Sequence, residues 1–182
     1  MIVFTCISKV KVETMAPTDF SNMPCPVARS MAMLGERWAI LLMREAYYGS
    51  TRFDEFERHL GIAPNILSAR LKTLVSHGLL EKSPAPGGGA RHVYTLTAMG
   101  RDFFPVYVAL KQWADRWLAD EKGPLTVFED KRDGGEIVAG NLTRPDGSAI
   151  TMDDLRVRPG PGAGSYLRAR FGEPEAEAMR DE

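Results

Sequence analysis

The spacing of apolar residues predicts two consecutive helices near the start of the chain. Val27, Met31 and Leu34 fall on one side of a helix that two prolines introduce and Gly35 ends. The next segment, residues 36–48, is apolar over much of its circumference. Because such a helix needs cover on most sides, it is predicted to be the central helix of the core.

Two short amphipathic helices follow, with only a few residues between them. In the first, apolar residues recur at i, i+3 and i+7 from Phe53, and Ser50 or Thr51 is placed to cap its start. Gly61 breaks this helix, and residues 64–77 form the next one. Helices joined so closely cannot lie antiparallel and must cross steeply, which predicts a helix-turn-helix.

The second of these helices has two contrasting sides. Leu67, Leu71 and Leu74 lie together on one side, whereas the opposite side is small, polar and carries only positive charge. No Asp or Glu occurs between Ile62 and Leu80. Acidic groups would repel phosphates, so their absence favours entry of this helix into a DNA groove. The side chains predicted to face the major groove are Asn65, Ser68, Ala69 and Lys72.

A hairpin follows the helix-turn-helix. Residues 79–83 and 91–96 read as strands on either side of a loop rich in proline and glycine. Two strands in this position make a winged helix, and the loop with Arg91 and His92 can reach a minor groove or the DNA backbone. The side chains predicted to hold phosphates are Arg52, Arg70 and Arg91.

The next helix is predicted to run from its cap at Thr97 to about residue 120, with a kink or restart near Phe104 and Pro105. Its apolar and aromatic residues follow one stripe that is longer than a small domain can cover. Such a stripe favours a partner helix in a homodimer. The predicted interface residues are Phe103, Tyr107, Leu110, Trp113 and Trp117.

The remaining chain has a different pattern, in which strand-like segments flank Asp–Gly turns. The predicted fold class is α+β, mostly α: a winged helix-turn-helix with a long C-terminal dimerisation helix and a small β-hairpin appendage. The predicted regions are an N-terminal arm at 1–23, the DNA-binding and dimerisation domain at 24–122, the appendage at 123–164 and a disordered tail at 165–182. The first strand of the appendage is predicted at 125–128.

Net charge is −1 over 182 residues, which looks unsuited to DNA binding until its distribution is considered. Residues 24–122 hold 13 Lys and Arg against 10 Asp and Glu, whereas residues 123–182 hold 8 against 12. Attraction to phosphate requires a local basic face on the protein and does not require a positive net charge of the whole chain.

The composition excludes several other classes. The apolar runs are too short to span a membrane, and two cysteines do not form a secreted disulfide framework, which favours a reducing cytoplasm. The three histidines are far apart without the spacing of metal ligands, and no Ser/His/Asp or Cys/His set stands in a recognisable catalytic motif. We therefore expect no metal, no cofactor and no catalysis.

Cys25 stands at the predicted start of the first helix, between two prolines. The thiolate is the reactive form of a cysteine, and the positive end of a helix dipole favours it. Cys25 is therefore a candidate redox sensor, with Cys6 as a second thiol. The alternative is that Cys25 only packs, and that the effector is a small apolar ligand near Trp113.

Five ordered motifs between residues 24 and 118 resemble the HxlR-type family of bacterial transcriptional regulators. They are Cys25-Pro26, Gly35-Glu36-Arg37-Trp38, Arg52-Phe53-Asp54-Glu55-Phe56, Leu67-Ser68-x-Arg70-Leu71-Lys72-x-Leu74 and Tyr94-x-Leu96-Thr97-x-x-Gly100. The resemblance implies a dimeric winged-helix protein that binds a pseudo-palindromic site in double-stranded DNA. It also implies, for some relatives, sensing of oxidants or electrophiles at the cysteine that corresponds to Cys25.

A second function of another class stays open at this point. A winged helix that has lost DNA binding could serve as a protein-interaction module, with the acidic tail and the appendage engaging a partner. The positive outer face of residues 65–76 favours the DNA-binding regulator. Salt dependence of binding discriminates between the two, because only phosphate contacts release counterions.

Overall fold

The computed structural model describes residues 20–86, 91–118, 121, 123–140 and 142–171. The chain divides into two compact units, Met1–Phe128 and Glu129–Glu182. The elements of the first unit are α1 (Pro26–Leu34), α2 (Arg37–Tyr47), α3 (Phe53–Leu60), α4 (Pro64–Ser76), β1 (Leu80–Pro84), β2 (His92–Leu96), α5 (Ala98–Asp102) and α6 (Phe104–Trp117). This order confirms the predicted fold class, a mostly helical winged helix-turn-helix.

The core is built around α2, as the sequence predicts. This helix contacts α1, α3, α4, α6 and β2, and its Leu42 and Met43 are fully buried. Phe56 of α3 and Leu67 of α4 are also fully buried in the same cluster. Each such side chain contributes about 1.5–3 kcal/mol by leaving water, so this cluster fixes α3 and α4 on α2.

The turn between α3 and α4 follows the predicted chemistry. Gly61 has φ of 60°, a left-handed conformation that glycine adopts without strain, and Ile62 is buried beside it. Pro64 is the first residue of α4, where its missing N–H costs nothing. The turn is therefore short, as the sequence predicts for a helix-turn-helix.

The start of α3 differs from the prediction. Its N-cap residue is Arg52, and neither Ser50 nor Thr51 caps it. The carboxylate of Glu55 instead accepts from the backbone N–H groups of Thr51 and Arg52, both at 2.9 Å. This is the carboxylate half of a capping box, in which the third residue of the helix accepts from the N–H groups at its start.

The wing is an antiparallel pair in which Leu80 lies opposite Leu96. A bridge between Arg52 and Val93 adds the residues before α3 to the edge of β2. The N–H of Tyr94 donates to the carbonyl of Thr51 over 2.7 Å. The helix-turn-helix and the wing are thus joined by backbone hydrogen bonds.

The predicted long helix is interrupted where expected. Thr97 caps α5 by accepting from the Gly100 N–H at 3.0 Å, and a second helix, α6, restarts after Phe103. Gly100 is buried against the start of β1, where a Cβ would overlap the carbonyl oxygen of Leu79. Only glycine therefore permits this close packing of α5 on the wing.

Residues 125–128 do not form the predicted strand. The ring of Phe128 packs 5.1 Å from that of Phe104 and also contacts Tyr48 and Tyr107. The Tyr48 and Thr126 hydroxyls lie 3.0 Å apart. Burial of an aromatic ring contributes more than pairing of a lone edge strand, so this segment packs on α2 and α6.

The second unit consists mainly of turns. Single bridges join Glu129 to Glu136 and Thr143 to Ala149, around turns that contain left-handed glycines. A 3₁₀ turn spans Met152–Asp154, and a helix, α7, spans Ser165–Phe171. The sequence predicted no regular structure for the residues of α7; the rest of that tail, 172–182, lies outside the described residues.

Candidate nucleic-acid interface

The outer side of α4 is an exposed surface of mostly small and polar side chains. Leu67, Leu71 and Leu74 are buried, while the predicted groove-facing residues on the opposite side are exposed: Asn65, Ser68, Ala69 and Lys72. The hydroxyls of Thr73 and Ser76 donate to backbone carbonyls of the same helix. The polar groups left for an external partner are therefore concentrated in the first two turns and at Lys72.

Arg70 occupies a different environment from the one predicted. Its Nη2 lies 2.9 Å from a carboxylate oxygen of Glu36, the residue that precedes α2. Its Nε is buried and has no partner among the described residues. Arg70 therefore ties α4 to α2, and its charge is already balanced by a carboxylate.

The wing side of the interface gathers basic side chains from three segments. Arg52 comes from the start of α3, Lys82 from β1, and Arg91 and His92 from the beginning of β2. They line an open cleft of about 1030 Å³. The tip of the wing, residues 87–90, lies outside the described residues. Cations that converge from separate segments form the local basic face that phosphate attraction requires.

Arg52 is held in a fixed orientation within this cleft. Its Nε and Nη2 each donate to one oxygen of the Asp54 carboxylate at 3.0 Å. The hydrogen bond from Arg52 holds the pKa of Asp54 below its usual value, so the pair stays ionised at neutral pH. A bidentate pair fixes the plane of the guanidinium and leaves its outer edge for a ligand.

Sequence reasoning missed two residues of this surface. The ammonium of Lys82 lies 6.0 Å from the ring centre of Tyr94, its partner across the hairpin, and it lines the cleft beside Arg52. Ile66 is exposed on the first turn of α4. Lys82 could have been predicted from the sequence, because the two strands place it opposite the aromatic residue Tyr94. Nothing in the sequence pattern singles out an isolated exposed isoleucine such as Ile66.

The candidate sensor and interface residues occupy two other surfaces. Cys25 is the exposed N-cap residue of α1, and Cys6 lies outside the described residues. Leu110, Trp113 and Trp117 are exposed along α6. Tyr107 is buried against the chain's own aromatic residues, and Phe103 packs on its core. The exposed stripe is therefore shorter than the five predicted residues.

Other kinds of site are absent from the part of the chain that the structure describes. No group of His, Cys, Asp and Glu there could hold a metal ion. None of the helices described has the combination of length and apolar character needed to cross a membrane.

Comparison with known proteins assigns the chain to a family. The pattern of HxlR-like helix-turn-helix proteins matches residues 33–122. The uncharacterized HTH-type transcriptional regulator Rv3095 of Mycobacterium tuberculosis is 38% identical over 136 residues, which are 75% of this chain and 86% of that protein.

Two solved structures resemble the chain over their whole length. PA1607, a candidate transcription factor, has a TM-score of 0.73 and 36% identity over 79% of this chain. PA1374 of Pseudomonas aeruginosa, another candidate transcription factor, has a TM-score of 0.56 and 38% identity over 81% of it. The chain belongs to the HxlR-like helix-turn-helix family of DNA-binding transcriptional regulators.

Proposed function

We propose that this protein is a sequence-specific DNA-binding transcriptional regulator that acts as a homodimer. The observation that carries the proposal is the outer side of α4, which is exposed, small and free of acidic residues beside a cleft lined by basic side chains. A helix of this width and character fits the major groove. Asn65, Ser68 and Ala69 are the short side chains that would face the bases, and the longer Lys72 on the same side would enter the groove and reach a phosphate at its edge.

Further phosphate contacts are assigned to the cleft. Arg52, Lys82, Arg91 and His92 line it, and in the proposed complex they would contact the DNA backbone beside the groove that α4 enters. Arg70 is left out of this set because it does not line the cleft: its guanidinium pairs with Glu36 and joins α4 to the start of α2. The bidentate pair with Asp54 favours an oriented contact by Arg52 over a mobile one.

Dimerisation is supported by the exposed stripe on α6. Leu110, Trp113 and Trp117 are each about half exposed or more, together with Val106 on the same side. Large aromatic side chains in a row on one helix are typical of an interface between proteins. A two-fold dimer presents two copies of α4 to half-sites about one turn of DNA apart on a pseudo-palindromic operator.

Lys72→Ala tests the DNA assignment. We expect the variant to bind a fragment of the chain's own upstream region more weakly than the wild type, and to weaken binding to unrelated DNA by a similar factor. The slope of log affinity against log salt should flatten by roughly one unit, because one phosphate contact is lost. Fluorescence anisotropy at several salt concentrations measures both quantities.

Lys131→Ala, a charge loss at an exposed residue of the second unit, is the matched control and should leave the slope unchanged. Equal slopes for the wild type and Lys72→Ala would contradict the assignment of this side of α4. Binding without any salt dependence would favour the protein-interaction module instead.

A thiol signal is the second part of the proposed function. Cys25 is exposed, and α1, which it begins, packs on α2. We expect mild peroxide treatment to change the operator affinity of the wild type by about fivefold or more, and to leave that of Cys25→Ser unchanged. Intact-protein mass spectrometry follows the modification. Cys6→Ser separates a response of Cys25 alone, which this variant keeps, from a bridge to Cys6, which it loses. Full modification of Cys25 with unaltered operator affinity would exclude the sensor role.

A further inference from the structure

A second cleft in the first unit, of about 540 Å³, shares no lining residue with the cleft of the proposed DNA site. Its walls are the end of α2, the middle of α6 and the segment 123–126. Its size falls within the range of cavities that hold small organic ligands, roughly 300–1,000 Å³. No step of the proposed DNA recognition uses it.

Three hydroxyl groups form a chain along this cleft. The hydroxyls of Tyr107 and Tyr48 lie 3.2 Å apart, and those of Tyr48 and Thr126 lie 3.0 Å apart. Burial and the hydrogen bond with Tyr48 raise the pKa of Tyr107, which therefore stays protonated at neutral pH. Three O–H donors share two hydrogen bonds among the described residues, so one donor is left for an acceptor in the cleft.

The charges that line the cleft are balanced. The ammonium of Lys111 donates to Asp115 at 2.6 Å, and the guanidinium of Arg44 donates to Glu45. Each cation thus already has a carboxylate, and an anionic ligand would lose its hydration without meeting an unpaired charge. Lys111 is only 14% exposed in its side chain, and its ammonium keeps further N–H groups for an uncharged acceptor.

The rest of the lining is aromatic and aliphatic. The rings of Tyr48 and Tyr107 form one wall, and Leu118 and Leu125 stand exposed at the rim. The segment 123–126 is held in place by Phe128, whose ring packs against α2 and α6. A flat ring entering between these walls would cover leucine side chains that now face water.

We propose that this cleft binds a small, uncharged aromatic compound that carries a hydrogen-bond-accepting oxygen. The oxygen meets the Lys111 ammonium and the unused hydroxyl donor, and the ring packs between Tyr48, Ala114 and the two leucines. The cleft lies between α2, which contacts α3 and α4, and α6, which carries the proposed dimer stripe. A ligand there therefore links the DNA-binding helices to the dimer helix and alters DNA affinity. This last step rests on the proposed function; binding itself does not.

The test compares three probes with one ring system and different charge: 2-acetylnaphthalene, 2-naphthoate and 2-naphthylmethylamine. Isothermal titration calorimetry with the full chain should show the neutral ketone binding about tenfold or more tighter than either charged probe. Lys111→Met should weaken ketone binding by about tenfold, since a hydrogen bond to a charged group is lost. Ala114→Phe, which fills the cleft, should abolish it.

The matched controls are Lys131→Met and Ala98→Phe, the same changes at exposed residues outside the cleft, and both should bind the ketone like the wild type. Absence of ketone binding up to its solubility limit overturns the proposal. So does tighter binding of the naphthoate, or wild-type affinity in both Lys111→Met and Ala114→Phe.

The DNA step has its own measurement. Saturating ketone should shift the affinity of the wild type for its upstream fragment by about fivefold or more, and should not shift that of Ala114→Phe. Binding of the ketone without any such shift overturns the regulatory half. A third outcome separates the two proposals. If neither the free nor the ketone-bound protein binds DNA, but calorimetry still shows ketone binding that the cleft variants lose, the proposed function is wrong and the ligand site is retained.

Discussion

Trp117→Glu is expected to convert the protein from a dimer into a monomer at micromolar concentration. Trp117 is 68% exposed at the end of the apolar stripe on α6, so most of its ring is left uncovered by the described residues. A tryptophan that anchors an interface often contributes about 2–4 kcal/mol, which corresponds to a rise in the dimer dissociation constant of about two to three orders of magnitude. A buried carboxylate adds to that penalty.

Sedimentation velocity or light scattering at several concentrations measures the change. The thermal stability of the monomer should hardly move, since substitutions at exposed positions usually alter it by less than about 0.5 kcal/mol. Operator affinity should fall with the loss of the dimer, because a monomer reaches only one half-site. Ala98→Glu introduces the same charge at an exposed residue of α5 and should remain dimeric.

A wild-type protein that is monomeric at micromolar concentration would contradict the dimer outright. A Trp117→Glu variant that dimerises like the wild type would move the interface away from α6 and towards α1, where Val27 and Met31 are also exposed.

Gly100→Ala is expected to destabilise the fold by about 1–2 kcal/mol. Glycine-to-alanine changes inside a helix normally stabilise, by about 1 kcal/mol, because alanine is the better helix former. Here the new methyl group would overlap the carbonyl oxygen of Leu79, and forcing extra volume into a packed site costs about 1–3 kcal/mol or more. Since that oxygen belongs to backbone, it cannot rotate away, and the steric effect should outweigh the propensity.

Urea unfolding measures this effect as a lower midpoint with an unchanged slope. Met99→Ala, on the exposed side of the same short helix, is the control and should alter the midpoint little. A Gly100→Ala variant that is as stable as the wild type would mean that α5 moves off the wing at little cost. In that case the glycine of the Tyr-x-Leu-Thr-x-x-Gly motif would need another explanation.

The helix-turn-helix could be predicted from sequence because its rules are local. Gly61, Ile62, Pro64 and Gly78 take the conformations and burial that their residue types favour, and the leucines of α4 face the core. The break before α6 follows from Pro105 in the same way. Each of these features depends on neighbours within a few residues.

The features that sequence reasoning missed depend on distant neighbours. Arg70 was assigned to phosphate, but Glu36, more than thirty positions earlier, pairs with it. Tyr107 was assigned to the dimer stripe, but the chain returns after α6 and places Phe128 near it. A helical stripe indicates which residues share a side, and it does not indicate which later segment covers them.

The small side chains on the outside of α4 affect the entropy of DNA binding. Ser68 and Ala69 have few or no rotamers to lose, and Asn65 has few, whereas Lys72 gives up considerable side-chain freedom when it is fixed. In the proposed complex, the conformational entropy lost by this helix on entering the groove would therefore be small and concentrated at one position. Enlarging Ser68 or Ala69 to a long polar side chain would add contacts and an entropic penalty together, so the resulting gain in affinity should be much smaller than the added enthalpy.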